Sequence, residues 1–150
     1  MIEEGNLFPD FSLPDQDGKT VTLDSLKGSK AVIYFYPKDD TPGCTVEACD
    51  FRDAVPKISG ARILGVSPDD TKSHRKFVDK FGLNFTLLAD ADHAMAEALG
   101  IWVEKSMYGK KYMGIERTTY VLDESGVITK IYRKVKPEGH AEEVLSALAS

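Results

Sequence analysis

Six consecutive residues, Ala31-Val-Ile-Tyr-Phe-Tyr36, are apolar or aromatic, and all but Ala31 favour β-structure. A strand with one wet face alternates polar and apolar residues, so an unbroken apolar run reads as a strand covered on both faces. Helices above and below a sheet supply that cover, which directs the chain to an α/β architecture. Pro37 stops the run, and the polar residues 38–43 form a loop leaving the strand's end.

The rest of the chain fits this frame. Phe11-Ser-Leu13 and Thr20-Val-Thr22 flank the turn-forming Pro14-Asp-Gln-Asp-Gly18, which predicts an N-terminal β-hairpin. Asp24-Ser-Leu26, with Gly28 behind it, is one helical turn. A helix starting near Cys44 carries a buried stripe at Ala48, Phe51, Val55 and Ile58, and Pro56 ends or kinks it. Arg62–Val66 is a second strand, and Asp70 caps a helix that runs to Phe81 and closes at Gly82. A short strand at Phe85–Leu88 and a helix at Ala94–Leu99, stopped by Gly100, come next. The polar segment Glu104–Gly114 is expected to be a surface loop. Arg117–Leu122 and Val127–Arg133 form a hairpin about Asp123-Glu-Ser-Gly126. Pro137 and Glu138 then open a C-terminal helix on Ala141, Val144, Leu145 and Leu148. This order predicts a mixed sheet with helices on both faces, a set to which the thioredoxin-like fold belongs. No repeat, low-complexity tract or linker divides the 150 residues, so one domain over 1–150 is expected.

The formal charge of −5 repels phosphate backbones and anionic membranes, and the basic pairs Lys110-Lys111 and Arg133-Lys134 are too short to offset it. Neither nucleic acid nor a membrane is an expected partner. Met1-Ile-Glu-Glu-Gly-Asn6 has neither the basic nor the apolar region of a signal peptide, so a cytoplasmic location is expected.

Two cysteines are too few for a disulfide scaffold, and a close pair in a reducing compartment is more often catalytic, redox-sensing or metal-binding. Cys44 falls in the first turn of its helix, where free N–H groups and the helix dipole favour a thiolate. It also extends the apolar stripe, four residues before Ala48, so a small buried hydrophobe accounts for it equally well. Cys49 follows five positions on. On an ideal helix the two Cα atoms are ~8.7 Å apart and turned by about 140°. A disulfide needs them within about 7 Å, so the pair can bond only if the first helical turns unwind. A permanent structural bridge would not be built across a helix in that way, whereas a transient one could be.

The residues preceding Cys44 are more specific. Pro37-Lys-Asp-Asp-Thr41-Pro42-Gly43-Cys44 resembles the peroxiredoxin active-site signature: a proline, three residues, a threonine, two residues, a cysteine. The longer run Asp40-Thr-Pro-Gly-Cys-Thr-Val-Glu-Ala-Cys-Asp-Phe-Arg-Asp53 resembles the bacterioferritin comigratory protein, or peroxiredoxin Q, subfamily. The likeness extends from Gly5-Asn-Leu-Phe-Pro-Asp-Phe11 to the C-terminal helix. It implies a thioredoxin-like fold and thiol-dependent reduction of hydrogen peroxide and organic hydroperoxides. It further implies Cys44 as the peroxidatic nucleophile, Cys49 as the resolving thiol and a redox-active Cys44–Cys49 disulfide that thioredoxin or a similar dithiol reduces. Sulfur carries the redox chemistry, so no cofactor and no metal is expected. Resolution within one chain removes the chemical need for a dimer, and a monomer is expected.

Within that resemblance, cleaving an O–O bond calls for an aimed thiolate and donors for the departing oxygen. Thr41 can offer its hydroxyl to the peroxide, and backbone N–H groups near Gly43 and Cys44 can complete an anion pocket. The family places an arginine over the peroxidatic sulfur, and Arg117 occupies that position; its fixed charge favours a thiolate. Glu47, one turn beyond Cys44 on the same side, can hold Arg117, or can serve as an ordinary first-turn acid. Pro37 and Pro42 shape the pocket.

Two rivals are set aside by missing residues. A protein disulfide oxidoreductase would use a C-x-x-C pair, and a metal-binding or redox-sensing module built on Cys44 and Cys49 would want two further ligands nearby. His74, His93 and His140 have no ligand-like spacing and are expected at exposed helix positions. Trp102, Met107, Tyr108, Tyr112 and Met113 are expected to be partly buried in the core, with a substrate mouth or contact patch as the alternative.

Overall fold

The computed structural model describes residues 2–148. It opens with the antiparallel hairpin of β1 (Ser12–Pro14) and β2 (Thr20–Thr22), closed by an Asp15 carboxylate that accepts from the backbone N–H groups of Asp17 and Lys19. Thr22 then caps the short α1 (Leu23–Leu26) in a reciprocal capping box with Ser25. The apolar run becomes β3 (Lys30–Phe35), followed by α2 (Pro42–Ala54) and a 3-10 turn at Val55–Lys57 where Pro56 stops the helix. Next come β4 (Ala61–Ser67), α3 (Thr71–Phe81), β5 (Thr86–Ala89) and α4 (Ala94–Ala98). The chain continues through β6 (Trp102–Met107), β7 (Lys110–Ile115), β8 (Thr118–Leu122) and β9 (Ile128–Arg133) to α5 (His140–Leu148).

β3 is the middle of a five-stranded mixed sheet in the order β5-β4-β3-β8-β9. It pairs parallel with β4 and antiparallel with β8. Alternate residues of this doubly covered strand feed two separate cores. Ala31, Ile33 and Phe35 pack toward α1, α4 and the N-terminal hairpin. Val32, Tyr34 and Tyr36 pack toward α2, α3 and α5, and Cys44 lies in this second core. The strand ends at the loop that carries Thr41, so the sheet delivers the start of α2 to a fixed place.

The structure departs from expectation at three places. Residues 104–114 are not a loop: β6 and β7 pair antiparallel from Trp102↔Ile115 to Met107↔Lys110. Most of their residues are exposed, so neither strand shows an apolar alternation. The C-terminal helix starts at His140 rather than at Pro137, because Gly139 takes a left-handed turn (φ 79°) between them. α2 begins two residues before Cys44, with Pro42 at its first position, where a missing N–H costs nothing.

Candidate active site

Thr41 is the N-cap of α2, yet its hydroxyl makes no cap bond; it donates instead to the Lys38 carbonyl at 3.0 Å. Among the described residues, the first-turn amides of Gly43 and Cys44 are thus left without a side-chain cap. Cys44 is buried and Cys49 half-buried; both are free thiols on an unbroken helix. Ala48 and Phe51 continue the buried face beyond Cys44 as the stripe predicts, and Ala54 joins them, whereas Val55 and Ile58 are only half-buried and lie past the end of α2.

Arg117 stands immediately before β8, and its carbonyl accepts from the Val135 N–H at 3.0 Å. Its guanidinium forks. Nη2 donates to Cys44 Sγ at 3.0 Å, and Nη1 donates to Glu47 Oε1 at 3.0 Å. Glu47 is almost wholly buried (1% exposed) and Arg117 largely so (18%), which keeps water from weakening the pair. Burial pushes the Glu47 carboxyl up to about 7, against the pull of Arg117 in the other direction. A cation therefore bridges the thiol and a carboxyl that are one helical turn apart. Gly43 makes room for it: a Cβ there would lie 3.1 Å from Arg117 Nη2 and 3.3 Å from Pro137 Cγ. Pro42 is exposed on the outer side of the turn, and Pro37 is half-buried where β3 ends.

The structure thus brings Cys44, Glu47, Gly43 and Arg117 into contact, with Thr41 beside them at the helix cap, and leaves Cys49 one turn farther along. It also adds residues that the sequence did not point to. Pro137 closes over Gly43 from the segment before α5. Lys105 of β6 is half-buried without a hydrogen-bonded or ionic partner among the described residues; burial and the charge of Arg117 push its ammonium down, while Cys44 acts in the opposite sense. No local pattern signals either one, since each reaches the site from another element.

The histidines and the aromatic segment correct the expectations. His74 and His140 are fully buried, because other groups satisfy their ring nitrogens: Asp39 and the Leu88 carbonyl, both distant in sequence, for His74, and distant Thr119 with Glu143 one helical turn on for His140. His93 is half-buried and stacks on Trp102, with ring centroids 4.0 Å apart. Trp102 packs against the core as expected, but Met107, Tyr108, Tyr112 and Met113 are exposed, Tyr108 almost completely (98%). One group of three side chains with metal-ligating atoms comes together among the described residues, Asp39, Asp69 and His74, and it includes neither cysteine.

A mixed sheet flanked by helices, with a buried thiol in the first turn of the helix after its central strand and a guanidinium on the sulfur, defines a thiol-based oxidoreductase of thioredoxin-like fold. Residues 5–131 match the AhpC/TSA family. Peroxiredoxin Bcp of Bacillus subtilis is 49% identical over 98% of this chain and 95% of its own length. The structure of Xanthomonas campestris bacterioferritin comigratory protein, solved in work on its alkyl peroxide reduction activity, superposes with a TM-score of 0.87 at 46% identity, covering 93% of this chain and 90% of that one. A cysteine-to-serine mutant of Xylella fastidiosa PrxQ superposes with a TM-score of 0.93 at 35% identity, covering 99% of this chain and 96% of that one. The chain belongs to the AhpC/TSA family of peroxiredoxins, in its bacterioferritin comigratory protein or peroxiredoxin Q branch. It is a peroxidase, acts on peroxides and has the thioredoxin-like fold of that family.

Proposed function

We propose that Cys44 is the peroxidatic nucleophile, and the observation that carries this reading is the Arg117 Nη2–H directed at Cys44 Sγ from 3.0 Å. An N–H donor and a fixed positive charge beside the sulfur favour the thiolate, the form that attacks peroxide. The Cys44 thiolate attacks the terminal oxygen of a hydroperoxide. An S–O bond forms, the O–O bond breaks, and the departing alkoxide or hydroxide takes up a proton to leave as alcohol or water. Arg117 and the uncapped amides of Gly43 and Cys44 supply the donors toward which negative charge develops. Thr41 has committed its hydroxyl hydrogen to Lys38, so its oxygen is free to accept the peroxide O–H and orient the substrate. Glu47 positions Arg117, while Gly43, Pro37 and Pro42 shape the space around the sulfur.

The sulfenic acid is then resolved by Cys49. Its thiolate attacks the Cys44 sulfur, hydroxide leaves and is protonated to water, and the Cys44–Cys49 disulfide forms. α2 must unwind at its first turns for this step, since the folded helix holds the two residues too far apart. An external dithiol, thioredoxin or a similar protein, returns the pair to thiols. The cycle needs only one chain and no cofactor, consistent with a cytoplasmic monomer of one domain; no helix among the described residues is long and apolar enough to cross a membrane.

Peroxide consumption in a thioredoxin system tests the reading on wild type, Cys44→Ser and Cys49→Ser. Cys44→Ser should abolish consumption with the fold intact, because a hydroxyl without an adjacent base is a poor nucleophile. Cys49→Ser should consume one equivalent, stop at sulfenic acid and over-oxidise readily. Substantial turnover by Cys44→Ser removes Cys44 from the mechanism; undiminished turnover by Cys49→Ser removes Cys49.

A further inference from the structure

Away from the thiol, a buried set of polar side chains is joined into a network centred on Asp39, in the loop between β3 and α2. Asp39 Oδ1 accepts from the Tyr36 hydroxyl at 2.5 Å. Oδ2 accepts from the Ser73 hydroxyl at 2.7 Å and meets His74 Nδ1 at 2.7 Å. The Asp39 backbone N–H donates to Asp69 Oδ2 at 2.8 Å, and that oxygen also accepts from the Ser67 hydroxyl at 2.6 Å. His74 Nε2 lies 2.8 Å from the Leu88 carbonyl oxygen, which can only accept, so Nε2 carries a hydrogen. The contact between Nδ1 and Oδ2 must then hold a second hydrogen, making an imidazolium–carboxylate pair or its neutral tautomer.

The network ties one short loop to the end of β3, to β4 and the turn after it, to α3 and to β5. The loop needs such a tie. Asp40 is left-handed at φ 56°, a strained conformation for a residue with a side chain, and Thr41 makes no cap bond that would brace the helix start. The remaining ion pair on the loop, Lys80 with Asp40 at 2.7 Å, is exposed and correspondingly weak. Asp39, Asp69 and His74 are close enough for their ligand atoms to share an ion, with all separations within 4.8 Å, but each already has a protein partner. The cluster is a lock for the loop.

We propose that the Asp39–His74 pair is the positioning element of the peroxidatic loop, holding Thr41 and the first turn of α2 in the folded arrangement that meets peroxide, at the expense of the unwound arrangement that forms the disulfide. The inference rests on the Cys44–Cys49 reading above. The hydrogen bonds of Asp39 and His74 go to Tyr36, Ser73, Asp69, each other and the Leu88 carbonyl, whereas Cys44 Sγ is met by Arg117, so the pair would act on the site through the loop. Losing the pair frees the loop, lowers the population of the reactive arrangement and releases the unwinding step. The two rates therefore move in opposite directions, or the second stays unchanged.

Single-turnover mixing of reduced protein with hydrogen peroxide measures both steps, using a sulfenate trap for the first and loss of both thiols for the second. His74→Gln should slow sulfenate formation by about tenfold, the scale of one buried charge-assisted hydrogen bond, and leave disulfide formation as fast or faster. Amide exchange across 38–43 should rise with it. Ser73→Ala removes only one bond to Asp39 Oδ2 and should slow the first step by about twofold to threefold. It decides the matter if His74→Gln does not fold. A purely structural role would lower the melting temperature and leave both rates of the folded protein unchanged; that result in either variant, or equal slowing of both steps, overturns the proposal. Wild-type protein that forms no sulfenate at Cys44 overturns the catalytic reading first and takes this inference with it.

Discussion

The two halves of α2 are held by different forces. Beyond Cys49 the helix is fastened by apolar burial: Phe51 is fully buried, stacks on Tyr34 with centroids 4.7 Å apart and meets the edge of His140 at 5.9 Å. Arg52 adds a bond to the Phe81 carbonyl at 2.7 Å, tying this half to the end of α3. The first turns bury only Cys44, Ala48 and the Glu47 side chain, with no large apolar group among them. Pro42 and Val46 are exposed, no side chain among the described residues caps the amides, and the polar fastening is the guanidinium that joins Cys44 to Glu47. In the proposed cycle, oxidation of a Cys44 thiolate to sulfenic acid takes away the charge that the Arg117 donor meets, which should weaken the first half and leave the second untouched. That division suits the proposed cycle, in which one end of the helix unwinds and the other stays docked.

Phe51→Ala should show the apolar side of the comparison. Truncating a fully buried phenylalanine costs about 3–5 kcal/mol, read as a fall in the denaturation midpoint. Sulfenate formation by the protein that remains folded should change little. Arg117→Ala should do the reverse. Loss of the donor on the sulfur should slow the peroxide step by about 10²–10³-fold in stopped-flow assays, with partial recovery in Arg117→Lys, which restores charge without the fork. Equal kinetic losses in the two variants would erase the distinction between the halves.

Hydrogen exchange on reduced and oxidised protein should localise the boundary. The disulfide should expose amides from about Cys44 to Cys49 and spare those near Ala54 and in β3. Uniform protection in both redox states, with the Cys44–Cys49 bond proven by mass spectrometry, would mean that the helix does not unwind.

The smallest effect is expected at Glu47. Its carboxyl is raised to about 7 in the fold from an ordinary value of 4.5. A group raised in this way favours folding most fully below its unfolded value, and that contribution is lost as pH rises through about 7. Glu47→Gln should flatten this slope, so the melting temperatures of variant and wild type should converge or cross between pH 5 and 8 rather than run parallel. Its amide oxygen can still accept from Arg117, so the peroxide step should slow by less than about tenfold.

What the sequence made legible follows from how local the cause is. β3 was readable because six apolar residues in a row have one physical explanation. α3 was readable because both of its ends are written in side chains: Asp70 accepts from the Ser73 N–H, and Gly82 takes the left-handed closing position at φ 60°. The β6–β7 hairpin was not. Its turn places Tyr108 at φ 53° before Gly109 at φ 77°, and tyrosine is an unusual residue for a left-handed position. The buried histidines were hidden for another reason: Asp39 lies 35 residues from His74, and Thr119 lies 21 from His140. At the thiol, the segment 37–49 was legible as one motif, whereas Arg117 and Pro137 meet it only in the folded chain. Family resemblance pointed to the first of these, and nothing in the sequence pointed to the second.

The missing side chain at Gly43 has a consequence for how the chain can change over time. Arg117 and Pro137 both crowd the space that a Cβ at position 43 would take, at 3.1 and 3.3 Å. A Cβ there requires the Arg117 guanidinium, the Pro137 ring or both to give by a few tenths of an ångström. Positions 43, 117 and 137 therefore form one steric unit across 94 residues of separation, as the numbering shows. What position 43 can accept depends on how far Arg117 and Pro137 can yield, so change at any one of the three bears on the other two.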